Sequence, residues 1–324
     1  MTNDGTMVTL SRVADTLYWL SRYLERAEHT ARLLDLQLHL MLDQTQATVE
    51  PRFRRLLDAL YINPPESLSV NAYAIANLLT FDMSNDNTIV SCIAAARENA
   101  RHVREQISSE MWEQVNRLYF QVRSSNIDKI WHDQPHLFYQ AVKDGCHLFQ
   151  GITDGTMNNG EGWQFIQVGR YLERACSIAR LLSVHYRDFY VDGGMQARDF
   201  MEWTGLLKSC TAFEAYCKVY TADLRPDRIA EFLILNAEFP HSIRFSVKEM
   251  FSALQSIANA TGSKHAGRVN RLVGRLRATV DYSQVDEILA SGLHRYLENI
   301  QDQCSMIHDA IYQAYILYPA DEFA

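Results

Sequence analysis

Between Thr9 and Asp43, apolar side chains recur at Leu10, Val13, Leu17, Leu20, Leu24, Ala27, Ala31, Leu34, Leu38 and Met41, in steps alternating between three and four. That is an a/d seam with a period of about 3.5 residues, and it predicts one long amphipathic helix. At 1.5 Å per residue the helix would run roughly 50 Å. Ala27 and Ala31 place small side chains mid-seam, where a partner helix can approach closely.

The pattern returns at Phe165, Val168, Leu172, Ala175, Ala179, Leu182, Tyr186 and Phe189, with Gly193-Gly194 as a stop. The two helices share more than a period. Arg22-Tyr-Leu-Glu-Arg-Ala27 recurs as Arg170-Tyr-Leu-Glu-Arg-Ala175, and Ala31-Arg-Leu-Leu34 as Ala179-Arg-Leu-Leu182, both at an offset of 148 positions (22 to 170, 31 to 179). Val115-Asn-Arg-Leu118 reappears as Val269-Asn-Arg-Leu272, and Thr88-Ile89 loosely as Ser242-Ile243, both at an offset of 154 (115 to 269, 88 to 242). Ordered matches at nearly constant spacing point to an internal duplication. Its join falls in the turn-rich stretch Gly151–Gly162.

Helices are expected elsewhere too: about Arg52–Tyr61, Asn71–Leu79, Asn87–Arg123, His136–Phe149, Asp199–Tyr220, Arg225–Leu235, Ser242–Ala260 and Gly267–Val280. A last helix carries Ala290, Leu293, Leu297, Ile300, Cys304, Ile307, Ile311 and Ala314 on one seam. Between Gly5 and Gly145 there is no glycine, and the only prolines are Pro51, Pro64, Pro65 and Pro135. Turn clusters that would bound short strands are therefore scarce. The expected fold is all-α: an elongated bundle of two duplicated helical repeats, residues 1–150 and 151–324, forming one continuous unit.

Composition narrows the function classes. The 324 residues are 47% hydrophobic and 22% charged, as in a soluble globular protein. A net charge of −8 argues against a surface that tracks phosphates, so no nucleic-acid partner is expected. Six cysteines without a C-x-x-C suggest neither a disulfide scaffold nor a zinc ribbon. The acidic opening Met-Thr-Asn-Asp is unlike a signal peptide, and no apolar run reaches the length of about 18 residues that a membrane span needs. A cytoplasmic protein is expected, with no membrane partner.

The repeated Glu-Arg pair is the first candidate chemistry. With Leu24 at a and Ala27 at d, Glu25 and Arg26 fall at b and c, positions ordinarily solvated. Arg22 lies three and four residues before them, as Arg170 does before Glu173 and Arg174, so each helix offers a carboxylate flanked by two guanidinium groups. One reading is structural: each arginine takes the other copy's glutamate in a bidentate fork. The other is a polar pocket where arginines hold a carboxylate or phosphate and glutamate orients an amine. A second candidate is the stripe Arg97, Arg101 and Arg104 with Glu98 and Asn99, read either as a solvated face or as an anion-binding face turned toward the first Glu-Arg helix.

Other chemistry finds little footing. Glu25/His29, Glu98/His102 and His294/Glu298 are four apart rather than in the Glu-x-x-His spacing of carboxylate-bridged bundle metals, and His132 and His136 fall at an expected loop, so no metal is expected. Gly262–Val269 has the spacing of a phosphate loop but lacks its lysine and hydroxyl, and no G-x-S-x-G elbow occurs. No cofactor is expected either.

Leu10-Ser-Arg-Val-Ala-Asp-Thr-Leu-Tyr-Trp-Leu-Ser-Arg-Tyr-Leu-Glu-Arg-Ala27 resembles the opening of the bacterial alpha-E family, helical proteins named for a Glu-Arg motif. Ala96–Arg101, Ser109–Trp112, Glu161–Trp163, Leu172–Ala175, Ala230–Asn236, Glu238–Pro240 and Ser242–Arg244 are similar to its other blocks. One departure is Cys176-Ser177 in the second copy where the first has Glu28-His29. The resemblance implies a protein encoded beside a circularly permuted ATP-grasp ligase, commonly with transglutaminase-like peptidases and sometimes a proteasome-like hydrolase. The expectation is an accessory or adaptor protein of an ATP-dependent peptide or amide ligase system. It would bind the ligase or a peptide-like substrate through Arg22, Glu25, Arg26, Arg97, Glu98, Asn99, Arg101, Arg104, Arg170, Glu173 and Arg174. The rival is a stand-alone enzyme using Glu25 or Glu173 as acid/base in a helical pocket. A base shielded from its arginines would be required, because positive charge lowers a carboxyl pKa.

Overall fold

The computed structural model describes residues 4–40, 46–65, 68–190, 200–221, 223–261 and 266–317. Among them every regular element is a helix and there is no strand. In order these are α1 (Asp4–Leu40), α2 (Gln46–Ala59), α3 (Ala72–Thr80), α4 (Ile89–His102), α5 (Ser109–Arg123), α6 (Ile127–Asp133), α7 (Pro135–Thr156) and α8 (Glu161–Phe189). There follow α9 (Phe200–Ser209), α10 (Phe213–Tyr220), α11 (Pro226–Leu235), α12 (Ile243–Thr261), α13 (Ala266–Tyr282), α14 (Val285–Ser291) and α15 (Leu293–Ile311), closed by a π-helical turn, Tyr312–Ile316. None is long and apolar enough to cross a membrane.

The two long seams become α1 and α8. The end of the first seam beyond Leu40 and the Gly193-Gly194 stop lie outside the described residues. Several boundaries differ from those read in the sequence. The helix expected over Asn87–Arg123 is two: α4 stops at His102, and Ser108 Oγ then accepts the Met111 N–H at 3.1 Å, capping α5. Asp199–Tyr220 breaks into α9 and α10 at Thr211, whose φ of 50° is one a β-branched residue seldom adopts in a helix. Gly292, with φ 100°, separates Ala290 from the rest of its seam. The join is shorter than expected, since α7 runs on through Gly151 and Gly155 and only Met157–Gly160 links it to α8. His132 and His136 lie in α6 and α7 rather than in a loop.

Packing follows two closed rings. Helix α1 packs on α4 and α7, and α5 closes the ring against both; α8 packs on α12 and α15, and α13 closes that ring in the same way. The rings share their most extensive helix contact, α1 against α8. Gly169 makes that approach possible, because a Cβ there would lie 2.3 Å from the Tyr18 carbonyl oxygen and 2.3 Å from Ser21 Oγ. The Ser21 hydroxyl in turn donates to the Ile166 carbonyl at 2.7 Å. Helix α2 also meets both α1 and α8, and α9 packs on α1, so α1 is enclosed on several sides. Glu25, Glu28, His29, Arg32 and Asp35 are all buried along it. The motif's own b and c positions are therefore not solvated as a two-helix seam would have them: Glu25 is buried and Arg26 half-buried.

Candidate functional site

The two Glu-Arg pairs meet where α1 crosses α8. Arg174 grips Glu25 with both prongs, Nε to Oε1 at 2.6 Å and Nη2 to Oε2 at 2.9 Å. In the other direction Glu173 takes Arg26 Nε at 2.7 Å and Arg22 Nε at 2.8 Å. Each helix thus supplies the arginine for the other's glutamate, a planar fork-to-carboxylate match that lysine could not reproduce. The intrahelical triad of carboxylate and two flanking guanidinium groups is not formed.

The exchange is unequal. Arg22 joins Arg26 on Glu173, but its counterpart Arg170 does not reach Glu25; its guanidinium lies over the Tyr171 ring and its Nε is buried without a partner. Gln150 Nε2 donates to Glu25 instead, at 3.3 Å. Arg22 is further held by the Tyr18 hydroxyl at 3.1 Å, and the Tyr18 hydroxyl meets His308 Nδ1 at 2.8 Å. Arg26 also donates to Asn87 Oδ1.

The departure Glu28-His29 against Cys176-Ser177 adds a second layer on one side only. Glu28 receives Arg32 of its own helix at 2.9 and 3.0 Å, and His29 Nδ1 faces Arg32 Nη2 at 3.3 Å. Arg180, the counterpart of Arg32, turns away to the Asp58 carbonyl at 2.9 Å.

Electrostatics rank these groups. Burial works to raise the pKa of Glu173, but the charges and hydrogen bonds of Arg22 and Arg26 outweigh it and hold the carboxyl at about 2. Glu28 is likewise held well below its ordinary value, with burial opposed by Arg32 and His147. His29 is pushed down to about 3, first by burial and then by Arg32. His241 is pushed the same way by burial, Arg174 and Arg32.

Beside the crossing lies a cavity of about 400 Å³ lined by Arg22, Arg26, His29, Glu173, Ser177 and Arg180 among others. Five of the eleven residues singled out in the sequence therefore sit at one crossing: Arg22, Glu25, Arg26, Glu173 and Arg174. A family model described as a predicted alpha-helical domain with a conserved ER motif matches residues 9–316. The chain belongs to the Alpha-E family. This Alpha-E chain carries the Glu-Arg pair twice, at 25–26 and at 173–174, and both copies are spent on the interhelix exchange.

Uncharacterised proteins of Mycobacterium bovis and Mycobacterium tuberculosis are 23% identical to it over 327 aligned positions, and a further Mycobacterium tuberculosis protein is 22% identical. The alignments cover 92% of this chain but 36% of those proteins, so the chain spans little more than a third of the length of the curated relatives it matches. No solved structure matches it.

The second candidate face does not assemble. Arg97 turns into the α4–α5 groove, donating to Asn116 Oδ1 at 2.6 Å with its guanidinium 4.6 Å from the Tyr119 ring centre. Arg101 is exposed and pairs with Glu98 on its own helix. Arg104 lies past the end of α4, over the Trp112 ring at 5.1 Å. Asn99 is half-buried, and its carbonyl accepts the Val103 N–H that ends the helix. No stripe faces α1, because α4 stops before Arg104.

Spacing along the sequence missed one convergence. Asp35 and His39 of α1 and His136 of α7 bring ligand-type atoms within 4.8 Å of one another. Asp35 is already engaged there by His136 Nδ1 at 2.8 Å and Lys143 Nζ at 2.7 Å. Only the Asp35/His39 pair, four apart, could have signalled it.

Proposed function

We propose that this Alpha-E protein is an accessory, non-catalytic component of an ATP-grasp-dependent peptide or amide ligase system. It would hold the ligase, or a peptide-like substrate, with the cavity at the α1–α8 crossing as its ligand site. The observation that carries this reading is the state of the two motif glutamates. Glu173 is clamped by two arginines with its pKa at about 2, and Glu25 lies in the fork of Arg174. A general base working near neutral pH needs a carboxyl pKa raised toward that range. Glu173 is shifted the opposite way, which disfavours the rival reading of an acid/base enzyme. Guanidinium groups lining a cavity suit binding better than proton transfer.

The ligase as partner rests on the family's usual gene neighbourhood, and a transglutaminase-like peptidase is a further proposed partner on the same ground. Size exclusion with light scattering tests the association, using the purified chain mixed with its neighbouring ATP-grasp ligase with and without ATP. Co-elution that survives a charge reversal at exposed Arg101 but weakens when Ser177→Phe obstructs the cavity is expected. Two independent peaks under every condition would overturn the reading.

A further inference from the structure

Away from the crossing, α1 and α7 bring three metal-ligating side chains to one point. Asp35, His39 and His136 are, among the described residues, the one group of three His, Cys, Asp or Glu side chains whose ligand atoms all lie within 4.8 Å of one another. Asp35 is ten positions along α1 from Glu25 (25 to 35), about 15 Å by helical rise, and none of the three lines the cavity beside the Glu-Arg exchange. The Asp35 carboxylate is buried, while the His39 and His136 side chains are each 47% exposed. A buried carboxylate beside two exposed imidazoles leaves the group open to solvent.

The two imidazoles converge on one oxygen. His136 Nδ1 lies 2.8 Å from Asp35 Oδ1, and His39 Nδ1 lies 3.4 Å from it. A tetrahedron with metal bonds of ~2.05 Å has an edge of about 3.3 Å, so these separations bracket the spacing that zinc requires. His39 Nδ1 is also 3.0 Å from the Asp35 carbonyl oxygen, a contact that a turn of its exposed ring would exchange for the metal. Lys143 Nζ holds Oδ2 at 2.7 Å, which orients the carboxylate and leaves Oδ1 as its single ligand atom. Lys143 already balances the Asp35 charge, so the imidazoles are not needed there as counter-ions. Two nitrogens and one oxygen suit zinc and its transition-metal neighbours rather than magnesium or calcium, which take oxygen ligands.

We infer that Asp35, His39 and His136 bind a divalent cation of the zinc class, tying the C-terminal end of α1 to the first turn of α7. It is a mononuclear site, not the carboxylate-bridged pair sought in the sequence. Three protein ligands leave the fourth position to water, the arrangement of an open rather than a closed zinc site. The inference stands apart from the ligand cavity and from the ligase partner, and its failure would leave both untouched.

The test uses the full chain freed of metal with a chelator, then titrated with zinc, magnesium and calcium by calorimetry and with cobalt by visible absorption. One zinc per chain should bind in about the micromolar range, and magnesium and calcium should not bind at that concentration. Bound cobalt should show ligand-field bands without thiolate charge transfer, since no cysteine belongs to the site. His39→Ala and His136→Ala, both at exposed positions, should each weaken zinc at least about tenfold while circular dichroism stays unchanged. His102→Ala, which removes an exposed histidine of α4, should bind zinc as the parent does. Zinc should also raise Tm in the parent but not in His136→Ala. No zinc binding, binding undiminished by both histidine variants, an equal loss in His102→Ala, calcium bound as tightly as zinc, or a thiolate charge-transfer band would each overturn the inference.

Discussion

His29, lowered by burial and then by Arg32, and Glu173, lowered by Arg22 and Arg26 against its burial, both make the fold sensitive to acid. His29 ordinarily titrates near 6.5 but is held at about 3, and His185, buried against Trp203 and Phe189, is also held at about 3. The unfolded chain takes up these protons below 6.5, whereas the folded chain refuses them until about 3. Their contribution is therefore complete above pH 6.5 and is lost as pH falls toward 3, at about 1.4 kcal/mol per pH unit for each ring. Glu173, lowered from 4.5 to about 2, adds a further loss below pH 4.5. Thermal unfolding followed down from about pH 8 should show Tm starting to fall near 6.5, more shallowly in His29→Gln. A Tm that stays level to about pH 5 would contradict this burial of neutral histidine. At this scale the sequence revealed residue types better than environments. Heptad spacing assigned Glu25 and Arg26 to solvent because it counts one partner helix, while α1 has several.

Helix packing at the crossing turns on one glycine. Gly169 corresponds to Ser21 at the 148-residue offset (21 to 169), so the closest approach joins two small residues one position before Arg170 and Arg22. Because a Cβ at 169 would strike the backbone oxygen of Tyr18, Gly169→Ala should push α1 from α8 and cost about 1–3 kcal/mol or more. Gly151 in α7 offers the opposite case, with nothing within 4 Å of an added Cβ. Gly151→Ala should stabilise by about 0.5–1 kcal/mol. Urea unfolding of both variants checks the pair, and equal effects would contradict the close-approach account. The seams of α1, α8 and α15 were legible because each buries a continuous apolar stripe. Breaks were harder to read. Gly292 is a recognisable stop, and the Ser108 cap is a recognisable start, but Thr211 at positive φ carries no signal in its residue type.

At the scale of the molecule, the rings α1–α4–α5–α7 and α8–α12–α13–α15 close in the same order. Thr88 and Ser242, matched at the 154 offset (88 to 242), stand immediately before α4 and α12. The rings are joined through α1 and α8, and the Glu-Arg exchange lies at that junction, so the motif is first a clamp between halves and second a wall of the cavity beside it. Breaking one partner of a buried ion pair strands the other charge and costs about 3–5 kcal/mol, whereas removing both together costs much less. The most direct test is a double-mutant cycle on Glu25→Met and Arg174→Met, read by urea unfolding. Each single variant should lose several kcal/mol, and the double variant should be clearly more stable than their sum, with a coupling above about 1 kcal/mol. Strictly additive losses, or single variants as stable as the parent, would show that the Glu-Arg pairs do not hold the two halves together.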